Sequence, residues 1–279
     1  MRIHLLHKRD QPGIDQTVAL FHQRNAEVEA LASDSPDHIK EILDRPGIDR
    51  LVVSGGDGMI HHAAQMIAGS GVPLGIVPAG TGNDIARALG IPTSTAAAVE
   101  LAVGDPVAMD LLRIASQEHE SYVVSVLTTG FSGTVNEVAN SIRRVGGQLK
   151  YTLATMRCLP RLQNAGLKGL VEHPRVCLLA IGNTPYFGGG MKICPAAVPD
   201  DGEAELIVVD PVNPLHLAAV LPSAFIGQHV RSRKVHSQKL SRIELETDTV
   251  WWADGEPLPH RGPVTIEVLP GALPVTARL

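Results

Sequence analysis

The sequence contains little cysteine. Three cysteines, Cys158, Cys177 and Cys194, occur among 279 residues. Their odd number and wide spacing fit neither a disulfide framework nor a CxxC metal pair. We therefore expect a protein of a reducing compartment, the cytoplasm.

Long apolar runs are also lacking. The longest, residues 215–226, contains Pro222 and is shorter than the about 20 residues that a membrane-spanning helix needs. Residues 1–10 carry charges where a signal peptide has its apolar segment. We expect neither a membrane span nor secretion, so any membrane contact is peripheral, at the inner face.

An excess of positive charge is absent as well. The formal net charge is -5 at pH 7, and the phosphates of nucleic acids repel such a protein, so we expect no nucleic-acid partner. One segment differs, because it holds five basic residues and no acidic one: Arg231, Arg233, Lys234, Lys239 and Arg242. This basic segment is either a solvated face or a local patch that docks anionic headgroups.

The apolar residues indicate a chain in two parts. In the first part, short apolar runs alternate with helical periodicity, which predicts an α/β domain with a parallel sheet. Its strands are predicted at residues 2–6, 50–54 and 72–77, and its helices at 17–32, 39–43, 60–68 and 84–89. The second part is β-rich, with strands at 122–128, 175–181, 203–209, 242–246 and 264–269 and helices at 134–144 and 149–162. We place the two domains at residues 1–111 and 112–279.

A glycine-rich turn follows the second predicted strand. Gly55, Gly56 and Gly58 surround Asp57 and lead into a helix. Glycine lets backbone N–H groups approach phosphate oxygens, and a helix N-terminus favours negative charge. Asp57 repels bare phosphate, so it fits better beside Mg²⁺ or a ribose hydroxyl. The alternative is a tight turn in which Asp57 is a cap.

A second loop of this kind follows the third predicted strand. It offers Gly80, Thr81, Asn83 and Asp84 at the start of the next helix. Because loops at adjacent ends of parallel strands meet, the two loops predict a nucleotide site. Asn83 or Asp84 could instead serve as a helix cap. The sequence has no Walker A motif, and residues 80–85 do not complete GxGxxG.

Two acidic turns occur in the β-rich part. Residues 200–203 supply three carboxylates, a composition that suits Mg²⁺ or Ca²⁺, although most acidic turns bind no metal. Asp254 and Gly255 are predicted to turn a hairpin that exposes the carboxylates of Asp254 and Glu256 at its tip. Taken alone, the second turn is equally an ordinary Asp-Gly turn with solvated charges.

Together these segments resemble the diacylglycerol kinase catalytic family, which includes bacterial soluble lipid kinases and sphingosine kinases. The resemblance runs nearly from end to end. It rests on the GGDG turn at residues 55–59, the GTGND segment at 80–87, Gly130 with Phe131, the segments 183–196 and 200–202, and the DGE at 254–256.

The resemblance implies a phosphofructokinase-like nucleotide domain followed by a β-sandwich domain that binds the lipid and a metal, with ATP between them. ATP contacts are expected at Gly55, Gly56, Asp57, Gly58, Met59, Ile60, His61, Gly80, Thr81, Asn83 and Asp84. Asp201, with the carbonyl groups of Val198 and Glu203, is expected to hold a structural Mg²⁺, and Asp57 a catalytic one. Glu256 is expected to accept the proton of the attacking hydroxyl, and Asp254 to orient the nucleotide or metal.

The family pattern is altered at three places. Met59 stands where the family usually has threonine, Ser132 where aspartate is common, and the turn after the first strand keeps only Pro12 and Gly13. We therefore weigh an ATP-dependent lipid kinase against an NAD kinase-like enzyme and against a nucleotide-binding regulatory protein without turnover. The sequence does not determine the lipid substrate, and diacylglycerol, a sphingoid base, a ceramide and a phosphatidyl lipid all remain candidates. The oligomeric state, a homodimer included, is also open.

Overall fold

The computed structural model describes residues 1–32, 48–142 and 147–279. The helices of this part are α1 (Ile14–His22), α2 (Asp57–Ile67), α3 (Asp84–Ala88), α4 (Thr95–Ala102), α5 (Phe131–Ser141), α6 (Gly147–Cys158) and α7 (Pro214–Ala224), with 3₁₀ turns at Leu159–Arg161 and His229–Arg231. No helix in these residues is long and apolar enough to cross a membrane.

Eighteen strands are found in the same residues. The first nine in chain order are β1 (Arg2–His7), β2 (Glu27–Ala32), β3 (Arg50–Gly55), β4 (Leu74–Pro78), β5 (Val107–Ala115), β6 (Glu120–Val123), β7 (Val126–Gly130), β8 (Ala165–Lys168) and β9 (Arg175–Val176). The others are β10 (Leu178–Gly182), β11 (Tyr186–Phe187), β12 (Met191–Lys192), β13 (Ala204–Val209), β14 (Val235–Leu240), β15 (Arg242–Thr247), β16 (Trp252–Ala253), β17 (Glu256–Pro257) and β18 (Val264–Val275).

The predicted parallel sheet is confirmed. β1, β3 and β4 pair in parallel, with Leu5 opposite Val52 and Val53 opposite Ile76. Every residue of β3 is buried, as expected for a strand covered on both faces. Because parallel strands end at one edge, the turns after β3 and β4 are brought together there.

The predicted helix at residues 17–32 is wrong in its second half. α1 ends at His22, and Asn25 has a left-handed backbone with φ 56°, which a continuing helix does not allow. The chain then forms β2, which pairs in parallel with β1 at the sheet edge. The spacing of three between Val28 and Leu31 suits one face of a helix. In β2 these side chains leave opposite faces of the strand, and both pack against the first core. The predicted helix at 39–43 lies outside the described residues.

A β-sandwich forms the second part, as expected. β14, β13, β10, β7, β16 and β17 make an antiparallel sheet in that order. Its inner face packs against the sheet that contains β5, β15 and β18, through a core that includes Leu112, Leu179, Leu206 and Ile266. Among the elements that the sequence did not predict, α4 packs in the core of the first part and β5 pairs with β18.

β18 joins the two parts. It pairs antiparallel with β5 and β15, and at Val275 it meets Leu74 of β4. Leu273 and Val275 belong to the core of the first part, whereas Val264 and Ile266 belong to the second core. The boundary predicted after residue 111 falls inside β5, a continuous strand.

Candidate active site

The two glycine loops touch through their backbones. A Cβ atom at Gly80 would lie 2.5 Å from Gly56 Cα, and one at Gly56 would lie 3.0 Å from Gly80 Cα. Neither position has room for a side chain, because the obstructing atom is backbone. The loops that follow β3 and β4 therefore form one continuous rim, with the N-terminus of α2 beneath it.

Asp57 holds this rim to the next helix. Its Oδ2 accepts a hydrogen bond from the N–H of Asp84 at 3.1 Å, and its Oδ1 accepts one from Ile85 at 3.0 Å. Burial raises the pKa of Asp57. The carboxylate thus bonds the first turn of α3, while it also lines the cleft. It does not cap α2, the helix that it begins, whose N-cap is Gly56.

Asp84 connects the rim to the second part of the chain. Its Oδ2 accepts from the N–H of Gly189 at 2.6 Å, and its Oδ1 accepts from Arg87 Nη1 at 2.6 Å. Burial, followed by the charge of Asp57, raises the pKa of Asp84 to about 6. Two carboxylates in a desolvated cleft disfavour each other's charge.

Asn83 shapes the second loop. It has a left-handed backbone with φ 51°, a conformation that Asn tolerates better than most residues. Its side-chain Oδ1 accepts from the N–H of Gly80 at 2.9 Å, and its Nδ2 donates to the carbonyl of Gly80 at 3.0 Å. Thr81, at the tip of this loop, is exposed and lines the cleft.

Asp254 is not exposed, so this prediction from the hairpin is wrong. The hairpin of β16 and β17 forms as expected, but the Asp254 side chain is fully buried. Its oxygens accept from three successive backbone N–H groups, at Val124, Ser125 and Val126, over 2.8–3.1 Å. His61 Nδ1 lies 2.9 Å from Asp254 Oδ2. The carboxylate therefore connects the hairpin by hydrogen bonds to α2 and to the start of β7.

Glu256 lies over the first turn of α2. A Cβ atom at Gly58 would lie 2.9 Å from Glu256 Oε1, so the carboxylate approaches the backbone of Gly58 closely and would have to shift if a side chain stood there. Glu256 is half-buried and lines the cleft. The structure thus brings Glu256 to the same rim as the two glycine loops, across 198 sequence positions.

Of the other residues of the cleft, Tyr186 and Gly189 lie in the segment 183–196 that carries the family resemblance, whereas Lys8 and Tyr151 were not predicted as site residues. The cleft has a volume of about 240 Å³, and Lys8 is the one Lys or Arg among the described residues that line it. Tyr151, Tyr186 and Gly189 close its far wall. Burial, followed by the charges of Asp84, Asp57 and Glu256, raises the pKa of Tyr151 to about 12.

Several expected ATP contacts lie elsewhere. The lining includes Gly56, Asp57, Gly58, Met59, Gly80, Thr81 and Asp84. Ile60 is fully buried in the first core, His61 is buried against Asp254, and Gly55 belongs to β3. These three residues do not line the cleft, and neither does Asn83, whose side chain is bonded to the backbone of Gly80.

Residues of the acidic turn at 200–203 already have hydrogen-bond and ion-pair partners within the protein. Asp201 pairs with Lys239 and accepts from the N–H of Glu203 at 3.0 Å. The buried Asp110, which the sequence did not single out, accepts from Gly202 at 2.7 Å. A structural Mg²⁺ held by Asp201, Val198 and Glu203 stays a prediction, and it requires Lys239 to leave the carboxylate.

Comparisons with known proteins agree with this arrangement. The model of the diacylglycerol kinase catalytic domain matches residues 7–114, and that of the YegS C-terminal NAD kinase beta sandwich-like domain matches residues 125–277. A diacylglycerol kinase of Mycobacterium tuberculosis is 33% identical over 270 residues, which cover 92% of this chain and 86% of that protein. This chain belongs to the diacylglycerol kinase family.

Further relatives and solved structures extend the comparison. A probable YegS-like lipid kinase of Pseudomonas fluorescens is 29% identical over 88% of this chain and 82% of its own length. The crystal structure of a putative diacylglycerol kinase from Bacillus anthracis has a TM-score of 0.79 at 20% identity and covers 99% of this chain and 95% of its own. An NAD kinase from Archaeoglobus fulgidus in complex with ATP has a TM-score of 0.54 at 16% identity and covers 99% and 92%. The fold is therefore shared with both kinds of kinase.

Proposed function

We propose that this chain is an ATP-dependent, Mg²⁺-assisted kinase that phosphorylates a hydroxyl group of a membrane lipid, diacylglycerol or a related lipid. The observation that carries the proposal is that the polar cleft adjoins an apolar pocket. Tyr151 and Phe187 line both spaces. A hydroxyl attached to a long hydrocarbon chain suits this arrangement, because its polar end and its apolar end need neighbouring sites of opposite character.

The apolar pocket lies between three helices and the outer face of the β-sandwich. α5, α6 and α7 contribute one side, and β10, β13 and β14 contribute the other. The lining is mostly aliphatic or aromatic: Phe131, Val135, Tyr151, Leu178, Phe187, Met191, Ile193, Val209, Leu217, Val220, Leu221, Ala224 and Val235. Such a surface stabilises a hydrocarbon chain by removing it from water, by about 0.8 kcal/mol per buried CH₂ group.

The residues of the rim fit a nucleoside triphosphate. Gly56 and Gly80 leave the backbone bare, the N-terminus of α2 favours negative charge, and Lys8 adds a cation. Burial raises the pKa of both Asp57 and Asp84, and the charge of Asp57 raises that of Asp84 further. A divalent cation held at Asp57 would offset this accumulation of negative charge. ATP supplies the phosphoryl group, and Mg²⁺ offsets its charge.

Glu256 is the proposed general base. As the bond forms between the lipid oxygen and the γ-phosphorus of ATP, the bond from that phosphorus to the β,γ-bridging oxygen breaks, ADP leaves, and the hydroxyl proton passes to the Glu256 carboxylate. Asp254 is less suited to this role, because its buried oxygens already accept four hydrogen bonds. We assign Asp254 a positioning role, in which it holds the hairpin that carries Glu256.

The proposed membrane contact is formed by α6, α7 and the turn after α7. Leu149, Met156, Leu215 and Ile226 are 59%, 61%, 82% and 64% exposed, and the helices that carry them line the apolar pocket. Insertion of these side chains into a lipid surface would place the pocket mouth against the membrane.

The basic segment contributes less to this contact than its composition indicates. Lys239 pairs with Asp201, Arg242 pairs with Glu267, and Lys234 lies 3.9 Å from Asp210. Most of its positive charge is therefore met by neighbouring carboxylates.

The test is transfer of radiolabelled γ-phosphate to lipids in mixed micelles. We expect a labelled lipid with the unchanged protein, and a rate about 10²–10⁴-fold lower with Glu256→Gln, while ATP binding measured by calorimetry is retained. Glu118→Gln, at an exposed carboxylate between β5 and β6, is the matched control and should leave the rate unchanged. Absence of any labelled lipid refutes the proposal; formation of NADP would favour an NAD kinase, and ATP binding without any transfer would favour a regulatory protein.

A further inference from the structure

Asn136 is a polar residue in an apolar place. It lies on α5, is 1% exposed and lines the apolar pocket. Neither Oδ1 nor Nδ2 of its amide has a hydrogen-bond partner among the described residues. The neighbouring polar residues of the pocket differ, since the hydroxyl groups of Ser132 and Thr155 donate to the carbonyls of Thr129 and Tyr151.

His229 provides a second unpaired polar atom in the same pocket. Its Nε2 lies 3.0 Å from the carbonyl oxygen of Ile193, which can only accept, so Nε2 carries the proton. Burial lowers the pKa of His229, which keeps the ring neutral and leaves Nδ1 as an acceptor. This Nδ1 is buried and has no partner within the described part of the chain.

Unpaired polar atoms in a buried position destabilise the folded protein, because they lose their bonds to water without replacement. Nearly all such groups in folded proteins are paired, and the exceptions call for a reason. The amide of Asn136 would be paired by a ligand that is otherwise apolar but has one polar group along its length. An acylated lipid has this character, because the carbonyl oxygen of its chain linkage can accept from Nδ2 of Asn136, whereas Nδ1 of His229 needs a donor such as the N–H of an amide linkage.

We propose that Asn136 is a specificity-determining residue, which donates from Nδ2 to the acyl carbonyl of the lipid, with His229 of the same pocket as an acceptor for an N–H where the linkage has one. This inference rests on the proposed function and deepens it, because it restricts the substrate to lipids that have an acyl linkage. A lipid whose chains are attached through ethers lacks the acceptor. It would leave the amide of Asn136 unpaired in the complex, and sites built to bond a polar group reject ligands that lack it.

The experiment compares three short-chain probes of matched length: 1,2-dioctanoylglycerol, 1,2-di-O-octylglycerol and the 2-octanoylamido analogue of the first. Phosphate transfer gives kcat/KM for each, and calorimetry gives the affinity of each for the protein without nucleotide. We expect the ether to be poorer than the ester by about 10- to 100-fold in both measurements. Asn136→Leu, which is similar in volume, should remove this difference by weakening the ester alone. Thr155→Val, in the same pocket at a hydroxyl that is already bonded, should keep it.

Unfolding supplies a readout that does not need a substrate. Replacement of an unpaired buried amide by leucine should raise the midpoint of urea unfolding, whereas loss of a bonded amide would lower it. Asn136→Ala, which removes the donor with a smaller side chain, is the second variant if Asn136→Leu does not fold, and it should also abolish the preference for the ester.

The outcomes separate this inference from the proposed function. Equal affinity of the unchanged protein for ester and ether, or equal weakening of both by Asn136→Leu, overturns the role of Asn136 while lipid phosphorylation stands. Preferential binding of the ester without transfer of phosphate supports the inference and refutes the proposed function. If both the inference and the proposed function are supported, a higher kcat/KM for the amide probe indicates an amide-linked lipid whose N–H pairs with His229. A higher kcat/KM for the ester probe indicates a diacylglycerol.

Discussion

Asp84→Asn should stabilise the folded protein at neutral pH, although it weakens the hydrogen bonds that this side chain accepts at the cleft. In the folded chain burial and the charge of Asp57 raise the Asp84 pKa from 3.8 to about 6. At about 1.4 kcal/mol per pH unit, this interval corresponds to a cost of about 3 kcal/mol for keeping the carboxylate charged above pH 6. Asparagine removes the charge but weakens the bonds from Gly189 and Arg87, so we expect a net gain of about 1–2 kcal/mol at pH 7.5.

The difference in unfolding free energy between Asp84→Asn and the unchanged protein should depend on pH. A carboxyl group with a raised folded-state pKa favours the folded state most below its unfolded pKa, and this contribution is lost as pH rises from 3.8 to about 6. The advantage of Asp84→Asn over the unchanged protein should therefore be constant above pH 6 and shrink by about 1.4 kcal/mol per pH unit below it.

Urea unfolding at pH 7.5, 6.5, 5.5 and 5.0, without nucleotide and with a chelator present, measures this difference. Glu118→Gln, at an exposed carboxylate, is the control and should show no such dependence. A variant that is less stable than the unchanged protein at pH 7.5, or a difference that does not vary with pH, would refute the reasoning. Loss of ATP affinity in the same variant would show that the charge is retained for function at the expense of stability.

Three further predictions concern the supports of the cleft. Asp254→Asn should lower the free energy of unfolding by about 2–4 kcal/mol, because one amide oxygen cannot replace two carboxylate oxygens that accept four hydrogen bonds; an unchanged urea midpoint would contradict this role. Gly80→Ala should weaken ATP binding at least about tenfold in calorimetry, since its Cβ would lie 2.5 Å from backbone at Gly56 and force the loops apart; unchanged affinity would show that the rim does not bind the nucleotide. The three cysteines are at most 2% exposed and burial raises the pKa of each thiol, so a thiol reagent should label none of them in the folded protein and all three in denaturant.

The glycine loops could be predicted because their signal is local. A buried strand, a glycine turn and a helix occur in sequence after residue 50 and again after residue 74, and the rules for parallel sheets place the two turns side by side. Close contact between Gly56 and Gly80 is the three-dimensional result.

The environment of Asp254 could not be predicted in the same way. Its partners are His61, 193 positions earlier, and the backbone at the start of β7, about 130 positions earlier. An Asp-Gly turn is usually a surface feature, and no local pattern shows that this one folds inward. Tyr151 is similar, because helical periodicity predicts α6 but does not show that one of its side chains separates the cleft from the apolar pocket.

β18 has a consequence for how the chain reaches its fold. Its two ends belong to different cores, and its partners β4, β5 and β15 are drawn from residues 74–247. Contacts between residues so distant in sequence form slowly, because long loops must close first. Neither part can complete its sheet before residue 275 has been synthesised, so we expect the two parts to unfold in one transition, with domain-by-domain folding suppressed. The cleft between them would then be assembled in the last step of folding.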